Sequence, residues 1–569
     1  MWGDMSAVAA SAAARRVPGD RNMGEDMTQQ ANAATRPDCD VVVVGAGFAG
    51  IYALWTARQR GLGVRGFESA SDVGGTWYWN AYPGARCDVD SYSYAYFFDN
   101  EVVREWSWSD ICAQQPEIQN YLRFVAERCG VIGDITFETR VTGAEYLEEA
   151  GFWRVRTSGG EEVVCRYLVL AVGALSQPKA PGIEDVDSFA GEAYFTSTWP
   201  RDREVDLRGK RVGVIGTGSS GVQAIPEIAR VASEVVVFQR TANFVTPTGG
   251  GPMDPEKVAG LRRDPQAVRQ GMRETYGGTY PPSMGDRRFS DLDEAGRERE
   301  LWKAWEGDYV QLAFLDAHTP EANEAISAFI RQRMLEQVND PWTAERLVPW
   351  DHPYGGKRPC RSDVYLQTYN QPHVRLVHLP DTPIERIAPE GIVTTEQTFE
   401  LDVIVYATGF DALSGPVRAM NITGIDGVRM NDVWADGPVN YLGTMVHGFP
   451  NLFLPSSAMS PSVLSNMATL AEQQVDFIFD TVAWLEENGR PALHPRAESQ
   501  DFWADETLRY AKRVPGALTT DSWYNGANVP GKPRRYMVYR GGFKRYNETC
   551  YAELENGFPG YELIAPEAA

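Results

Sequence analysis

The stretch Asp40-Val-Val-Val-Val-Gly45-Ala-Gly47-Phe48-Ala-Gly50-Ile-Tyr-Ala-Leu-Trp-Thr-Ala57 decides the fold. A run of four valines is the mark of a strand buried on both faces, as in a parallel sheet. The glycines that follow at GxGxxG spacing each have a task. Gly45 permits a tight turn, Gly47 lets a pyrophosphate approach the backbone, and Gly50 lets the next helix pack on the strand. The amides at that helix's N-terminus then face the phosphates. Gly63 to Phe67 reads as the second strand and ends at Glu68, 18 residues after Gly50, where a carboxylate can accept hydrogen bonds from ribose hydroxyls.

The pattern recurs. Arg211-Val-Gly-Val-Ile215 is a strand, Gly216-Thr217-Gly218-Ser219-Ser220-Gly221 a turn, Val222 to Ala229 a helix, and Glu234 to Phe238 the next strand. At the position corresponding to Glu68 stands Arg240, 19 residues after Gly221. A carboxylate there would repel a 2′-phosphate, whereas a guanidinium binds one through two parallel hydrogen bonds. The second unit therefore favours NADP over NAD, with Thr241 and Lys357 as further candidates for the phosphate. A lone glycine motif is weak evidence, but both copies here have their strand and helix in place. The expected fold is α/β, with two Rossmann-like dinucleotide-binding domains.

Composition narrows the partners. The chain has 569 residues, 43% hydrophobic and 23% charged, a globular balance. Its 54 basic and 77 acidic residues leave a net charge of −23. That surface repels phosphate backbones and anionic lipid, so neither nucleic acid nor membrane is expected as a partner. The uncharged run Val41 to Trp55 falls short of the roughly 20 residues of a membrane span. The seven cysteines contain no CxxC pair and the six histidines no HExxH, so no metal site is expected, and a reducing cytoplasm fits. Residues 1–36 are small, polar and alanine-rich and read as a disordered tail. The Ala-rich stretch precedes Arg15 and Arg16, the reverse of a secretory signal.

From Pro252 to Asp340 charges become dense and helix formers dominate. Thr319-Pro320-Glu321 reads as a helix start, and Ile326, Phe329, Ile330, Met334 and Val338 repeat at helical spacing. This reads as a helical insertion in the second unit. Leu401 to Ala407 is another buried strand.

Longer segments resemble a known family, the type I Baeyer–Villiger monooxygenases, from about Asp40 to about Gly560. The resemblance rests on Gly74-Gly-Thr-Trp-Tyr-Trp-Asn-Ala-Tyr-Pro-Gly-Ala-Arg-Cys-Asp88, on Gly355-Gly-Lys-Arg358, and on Ser460-Pro-Ser-Val-Leu-Ser-Asn-Met467. It also rests on Ser522-Trp-Tyr-Asn-Gly-Ala-Asn-Val-Pro-Gly-Lys-Pro-Arg534. The family fingerprint FxGxxxHxxxWP appears as Phe189 to Pro200, with Phe195 where the family has histidine.

The resemblance implies FAD on the first unit and NADPH on the second. It implies an FAD domain over 37–174 and 397–569, an NADP domain over 175–250 and 341–396, and the insertion over 251–340. It implies that Phe48, Gly75, Thr76, Trp77, Asp88, Tyr94, Val141 and Met467 join Gly45, Gly47, Gly50 and Glu68 around FAD. Arg358 matches the family's catalytic arginine and Asp88 the carboxylate that positions it. Ser462, Val463 and Trp523 match substrate-pocket positions, Trp523 also touching NADP. The implied reaction inserts one atom of O₂ beside a ketone carbonyl, giving an ester or lactone through a C4a-peroxyflavin. A bulky or cyclic ketone is expected, in a monomer or weak dimer. Sulfide or amine oxygenation and uncoupled NADPH oxidation stay open as alternatives.

Overall fold

The computed structural model describes residues 36–280, 287–307, 313–489 and 492–564. The expected N-terminal tail, apart from Arg36, lies outside the described residues.

The first unit is an eight-stranded sheet. The Cys39–Val44 strand lies parallel to Val64–Phe67 on one side and to Glu162–Leu170 on the other. All four valines are buried, as a strand covered on both faces requires. The helix Phe48–Gln59 covers one face and packs on the long helix Met467–Glu487. The other face is sealed by Trp153, Trp434 and Phe449, all fully buried. The chain returns to this sheet at Asn421–Thr423 and Leu452–Phe453.

The second unit is a five-stranded parallel sheet centred on Arg211–Ile215, which is flanked by Glu234–Gln239 and Val403–Tyr406. Here one expected boundary needs correction. The resemblance places the strand near Leu401, with the rest of 397–569, in the first unit. Instead Val403–Tyr406 pairs with Arg211–Ile215 and Glu192–Phe195 inside the second sheet. A fully buried β-branched run reads the same in either sheet, and only tertiary pairing decides where it goes.

The region expected as one insertion divides between two cores. Helices Pro255–Arg263 and Pro265–Arg273 bury Leu261, Val268 and Met272 against the first unit. Helices Glu294–Glu306 and Pro320–Leu335 bury Leu301, Ile326, Ile330 and Met334 against the second. Thr319 does precede Pro320–Leu335, but its hydroxyl donates to the Asp316 carbonyl (2.9 Å) rather than capping the helix.

Candidate active site

Both glycine loops are shaped by backbone contacts that exclude a side chain. Gly45 has φ +102° and Gly216 φ +109°, conformations that favour glycine. A Cβ on Gly50 would lie 1.8 Å from the Gly45 oxygen, and one on Gly221 would lie 2.2 Å from the Gly216 oxygen. These two glycines therefore hold helix against strand. Gly47 and Gly218 face open space, the first with only Gly75 as a neighbour and the second with none.

One cavity of about 1160 Å³ runs past both loops. It exceeds the roughly 300–1,000 Å³ of a single small-ligand site. Of the residues expected at the site, Gly50, Gly221 and Ser462 do not line it and the rest do. Ser462 is fully buried behind the wall with φ +41°, while Val463 and Ser465 face the space. A motif position alone does not tell which of two adjacent residues faces in.

Around the first loop, Glu68 is buried at the end of its strand. Its Oε2 accepts from the Ala46 N–H (2.7 Å) and its Oε1 from the Ala70 N–H (2.8 Å). The carboxylate so bound fixes the loop and keeps lone pairs for hydroxyl donors. Phe48, Trp77 and Tyr94 form an aromatic wall. Tyr94 lies 5.0 Å from Phe48 and 5.9 Å from Trp77, whose Nε1 donates to its hydroxyl. Met467 starts the long helix opposite, with the Asn466 side chain capping it.

Where the two units meet, Asp88 and Arg358 form a forked ion pair. The guanidinium Nε and one terminal nitrogen donate to the carboxylate at 2.7–3.0 Å. The other terminal nitrogen donates to the Val463 carbonyl at 2.6 Å. The two side chains are 27% and 23% exposed, and both line the cavity. Burial alone would raise the Asp88 carboxyl, but the Arg358 charge and its hydrogen bonds outweigh that and hold it below the usual carboxylate range. Burial opposes the Arg358 charge, and Asp88 overcomes it. Arg361 donates to the Asp88 carbonyl (2.8 Å), fixing the backbone as well.

Arg240 stands exposed at the end of its strand, and Lys357 and Thr241 share the same cavity wall. Burial lowers the Lys357 pKa, Asp351 opposes that, and the like charge of Arg240 adds to it. Trp523 lies on a turn capped by Ser522, whose hydroxyl accepts from the Tyr524 N–H.

Sequence reasoning missed three groups. Tyr524 is buried against Arg358. Lys179 faces the cavity near Arg240. Gln223, on the second unit's helix, accepts from the Tyr82 hydroxyl (2.8 Å) and donates to the Arg86 carbonyl (3.0 Å), tying that helix to the segment carrying Asp88. Only Tyr524, next to Trp523, had a signal nearby.

Can this cavity hold two dinucleotides? Two glycine cradles in which a Cβ at Gly47 or Gly218 would project into free space, each at a helix N-terminus, fit two pyrophosphates. Among the described residues no cluster of His, Cys, Asp or Glu is arranged for a metal, and no helix is long and apolar enough to cross a membrane.

Comparison with known proteins gives the same picture. Residues 39–253 match the family described as pyridine nucleotide-disulphide oxidoreductase, although all seven cysteines here are free. The chain is 38% identical to 2-oxo-Delta(3)-4,5,5-trimethylcyclopentenylacetyl-CoA monooxygenase of Pseudomonas putida, over 94% of this chain and 99% of that protein. It is also 38% identical to a Baeyer-Villiger monooxygenase of Pseudooceanicola batsensis, over 92% and 95%. A solved structure named OTEMO, in complex with FAD and NADP, superposes with a TM-score of 0.88 at 37% identity, covering 93% of this chain and all of that one.

Proposed function

The chain belongs to the FAD- and NADP-dependent Baeyer–Villiger monooxygenases, and from that membership we propose that the Arg358–Asp88 pair is its catalytic centre and the surrounding cavity its ketone site. The protein is an oxidoreductase that uses NADPH and O₂ to convert a ketone to an ester or lactone. When bound, the reduced flavin supplies the oxygen-activating chemistry, one oxygen atom passing to the ketone and the other leaving as water at the expense of NADPH.

The chain's own residues do the rest. Arg358 supplies a permanent positive charge beside the reacting carbonyl. An oxygen that gains negative charge is stabilised most by a cation already oriented in a water-poor site. Asp88 positions that cation through two parallel hydrogen bonds. It also sets the net charge of the pair near zero, so that Arg358 can be held half-buried. The Val463 carbonyl fixes the remaining direction of the fork, so the pocket wall and the cation move together. Trp523 and the aromatic wall of Phe48, Trp77 and Tyr94 exclude water. Arg240, Lys357 and Thr241 receive the 2′-phosphate.

The carrying observation is the forked pair at the junction of the two units, 2.7 Å at its shortest, facing the space between both glycine cradles. The cyclic substrate in the Pseudomonas relative's name supports a bulky or cyclic ketone. Seven free thiols fit a reducing compartment, and the cytoplasm is the proposed location. A panel of cyclic, aryl and small aliphatic ketones with NADPH and O₂, scored by mass spectrometry for the gain of one oxygen, tests this reading. Oxygen gain only on sulfides or amines would overturn it.

A further inference from the structure

Lys179 lies in the linker between the two units. Its N–H donates to the Gly409 carbonyl (3.1 Å), its own carbonyl accepts from the Thr408 hydroxyl (3.4 Å), and Pro178 bridges to Phe410. These bonds anchor it beside the C-terminal end of Val403–Tyr406, on the wall of the shared cavity. Its side chain is half-buried, and its Nζ donates to the Asn528 carbonyl at 2.8 Å.

Neither Lys179, Lys357 nor Arg240 forms an ion pair among the described residues. Burial, and after it the charge of Arg240, lowers the Lys179 pKa. Three cations thus line one cavity without an ion pair, Asp351 acting on Lys357 alone, in a chain of net charge −23. The charge of Arg240 acts against both lysines, and a multiply charged anion between them reverses the sign of the interaction.

Asn528 leads elsewhere. Its side chain donates to the Phe410 carbonyl (2.9 Å). Four residues on, Lys532 pairs with Asp411 and donates to the Ala412 carbonyl (3.1 Å). The segment that carries Trp523 is therefore clasped to the Thr408–Ala412 turn. Of these clasps, Lys179 is the one that also faces Arg240.

We propose that Lys179 is a third cation of the 2′-phosphate site, and that its bond to Asn528 couples occupation of that site to the seating of the Trp523 segment over the cavity. This rests on the reading that Arg240 and Lys357 meet the 2′-phosphate.

NADP⁺ and NAD⁺ differ only in that phosphate, which makes them the probes. The flavin-loaded protein and its Lys179→Met, Lys179→Arg and Arg240→Ala variants are titrated with each nucleotide. Amide hydrogen exchange over 522–532 is followed in the same samples, and flavin absorbance and melting temperature check folding. In Lys179→Met, NADP⁺ affinity should fall about tenfold, the scale of one charge-assisted contact, with NAD⁺ affinity unchanged. NADP⁺ should no longer protect 522–532 beyond what NAD⁺ does. Lys179→Arg, which keeps the charge, should retain most of the affinity. Undiminished NADP⁺ affinity in Lys179→Met, equal losses for both nucleotides, or full NADP⁺ protection of 522–532 would each overturn the proposal. If instead Arg240→Ala binds NADP⁺ as the wild type does, the underlying phosphate assignment fails and the proposal falls with it.

Discussion

Gly45 and Gly216 turn the chain at φ of +102° and +109°, and both loops press a later glycine against the first one's carbonyl. The strands that follow end in opposite ways. Glu68 is buried, with two backbone N–H groups already bound to its carboxylate. Arg240 is exposed, forms no ion pair among the described residues, and shares its cavity with two lysines on which its charge acts. The first cradle's acid is tied into its own loop by two backbone hydrogen bonds. The second holds unneutralised charge that a ligand would relieve. A preorganised site loses less entropy on binding and suits a resident cofactor. A charged, open one suits a nucleotide that enters and leaves with every cycle. The same backbone plan thus ends in two different electrostatic settings, and the difference lies in the residue at the strand end.

The hardest break to make is inside the shared plan. Gly50→Val and Gly221→Val place a branched side chain within 1.8 and 2.2 Å of a backbone oxygen, before any side-chain atom beyond Cβ is counted. Each should prevent its unit from folding, seen as loss of soluble protein or of cooperative melting. A Cβ on Gly47 meets only Gly75, its Cα at 3.5 Å and its N at 3.9 Å, so Gly47→Val starts without a clash. It should leave the fold intact and abolish flavin retention, read from circular dichroism and visible absorbance together. A Gly47→Val protein that stays yellow would contradict the placement of the pyrophosphate.

Between the cradles, Arg358→Ala separates hydride transfer from oxygenation. Flavin reduction by NADPH needs stacking and orientation and should proceed near the wild-type rate in stopped flow. Ester formation should fall by about 100- to 1000-fold or more, the scale for removing an oriented group that stabilises developing negative charge. Product at the wild-type rate would refute the role given to Arg358.

The glycine loops, Glu68 and Arg240 were legible because their meaning is local: spacing along the chain sets spacing in the turn. The Asp88–Arg358 pair is 270 residues apart in sequence, and no spacing rule reaches that far. It was found only through resemblance to a family. The Val403–Tyr406 strand is legible as a strand but its place in the second sheet is not, since burial on both faces hides which neighbours it takes. Lys179 and Gln223 carried no pattern at all. Their surroundings exist only once the two units meet.

The open cradle should show its charge in smaller measurements. Arg240→Ala should reduce the preference for NADPH over NADH by about ten- to a hundredfold, mainly through the NADPH KM, since a charge-assisted phosphate contact is worth roughly 1.5–3 kcal/mol. Lys357 and Lys179 both have lowered pKa values, in each case chiefly through burial. A lysine with a lowered pKa gives up its proton, and its charge, earlier as pH rises. The kcat/KM for NADPH, which reports the free enzyme, should therefore start to fall below the ordinary lysine pKa near 10.5. The value for NADH should stay flat over the same range. Parallel pH profiles for the two nucleotides would mean that the lysines do not face the phosphate.

Phe195 should give the smallest effect. It occupies the position of a histidine in the family fingerprint, and its ring stacks on Tyr406 with centroids 4.8 Å apart and planes 19° from parallel. The two residues are direct partners on paired strands of the second sheet. Both rings belong to the apolar cluster that also takes in Ile183, Val186 and Phe189, and Phe195 does not line the cavity, although Ser197 and Thr198 do. A histidine in this setting could act on the reaction only through the strand that carries it. One hydrogen bond gained or lost there is worth about 0.5–1.5 kcal/mol, a factor of roughly 2 to 13. Phe195→His should therefore change the ratio of oxygenated product to NADPH consumed by less than about tenfold in either direction. Placing an imidazole nitrogen among apolar neighbours should also cost about 1 kcal/mol of stability. The measurement is NADPH consumed, hydrogen peroxide released and product formed, in wild type and variant side by side, with melting temperatures alongside. If the wild type releases peroxide quantitatively with every ketone and Phe195→His restores product, the stacked pair is disabling. The contrast between a closed first cradle and an open second one would then have to include the linker that joins them.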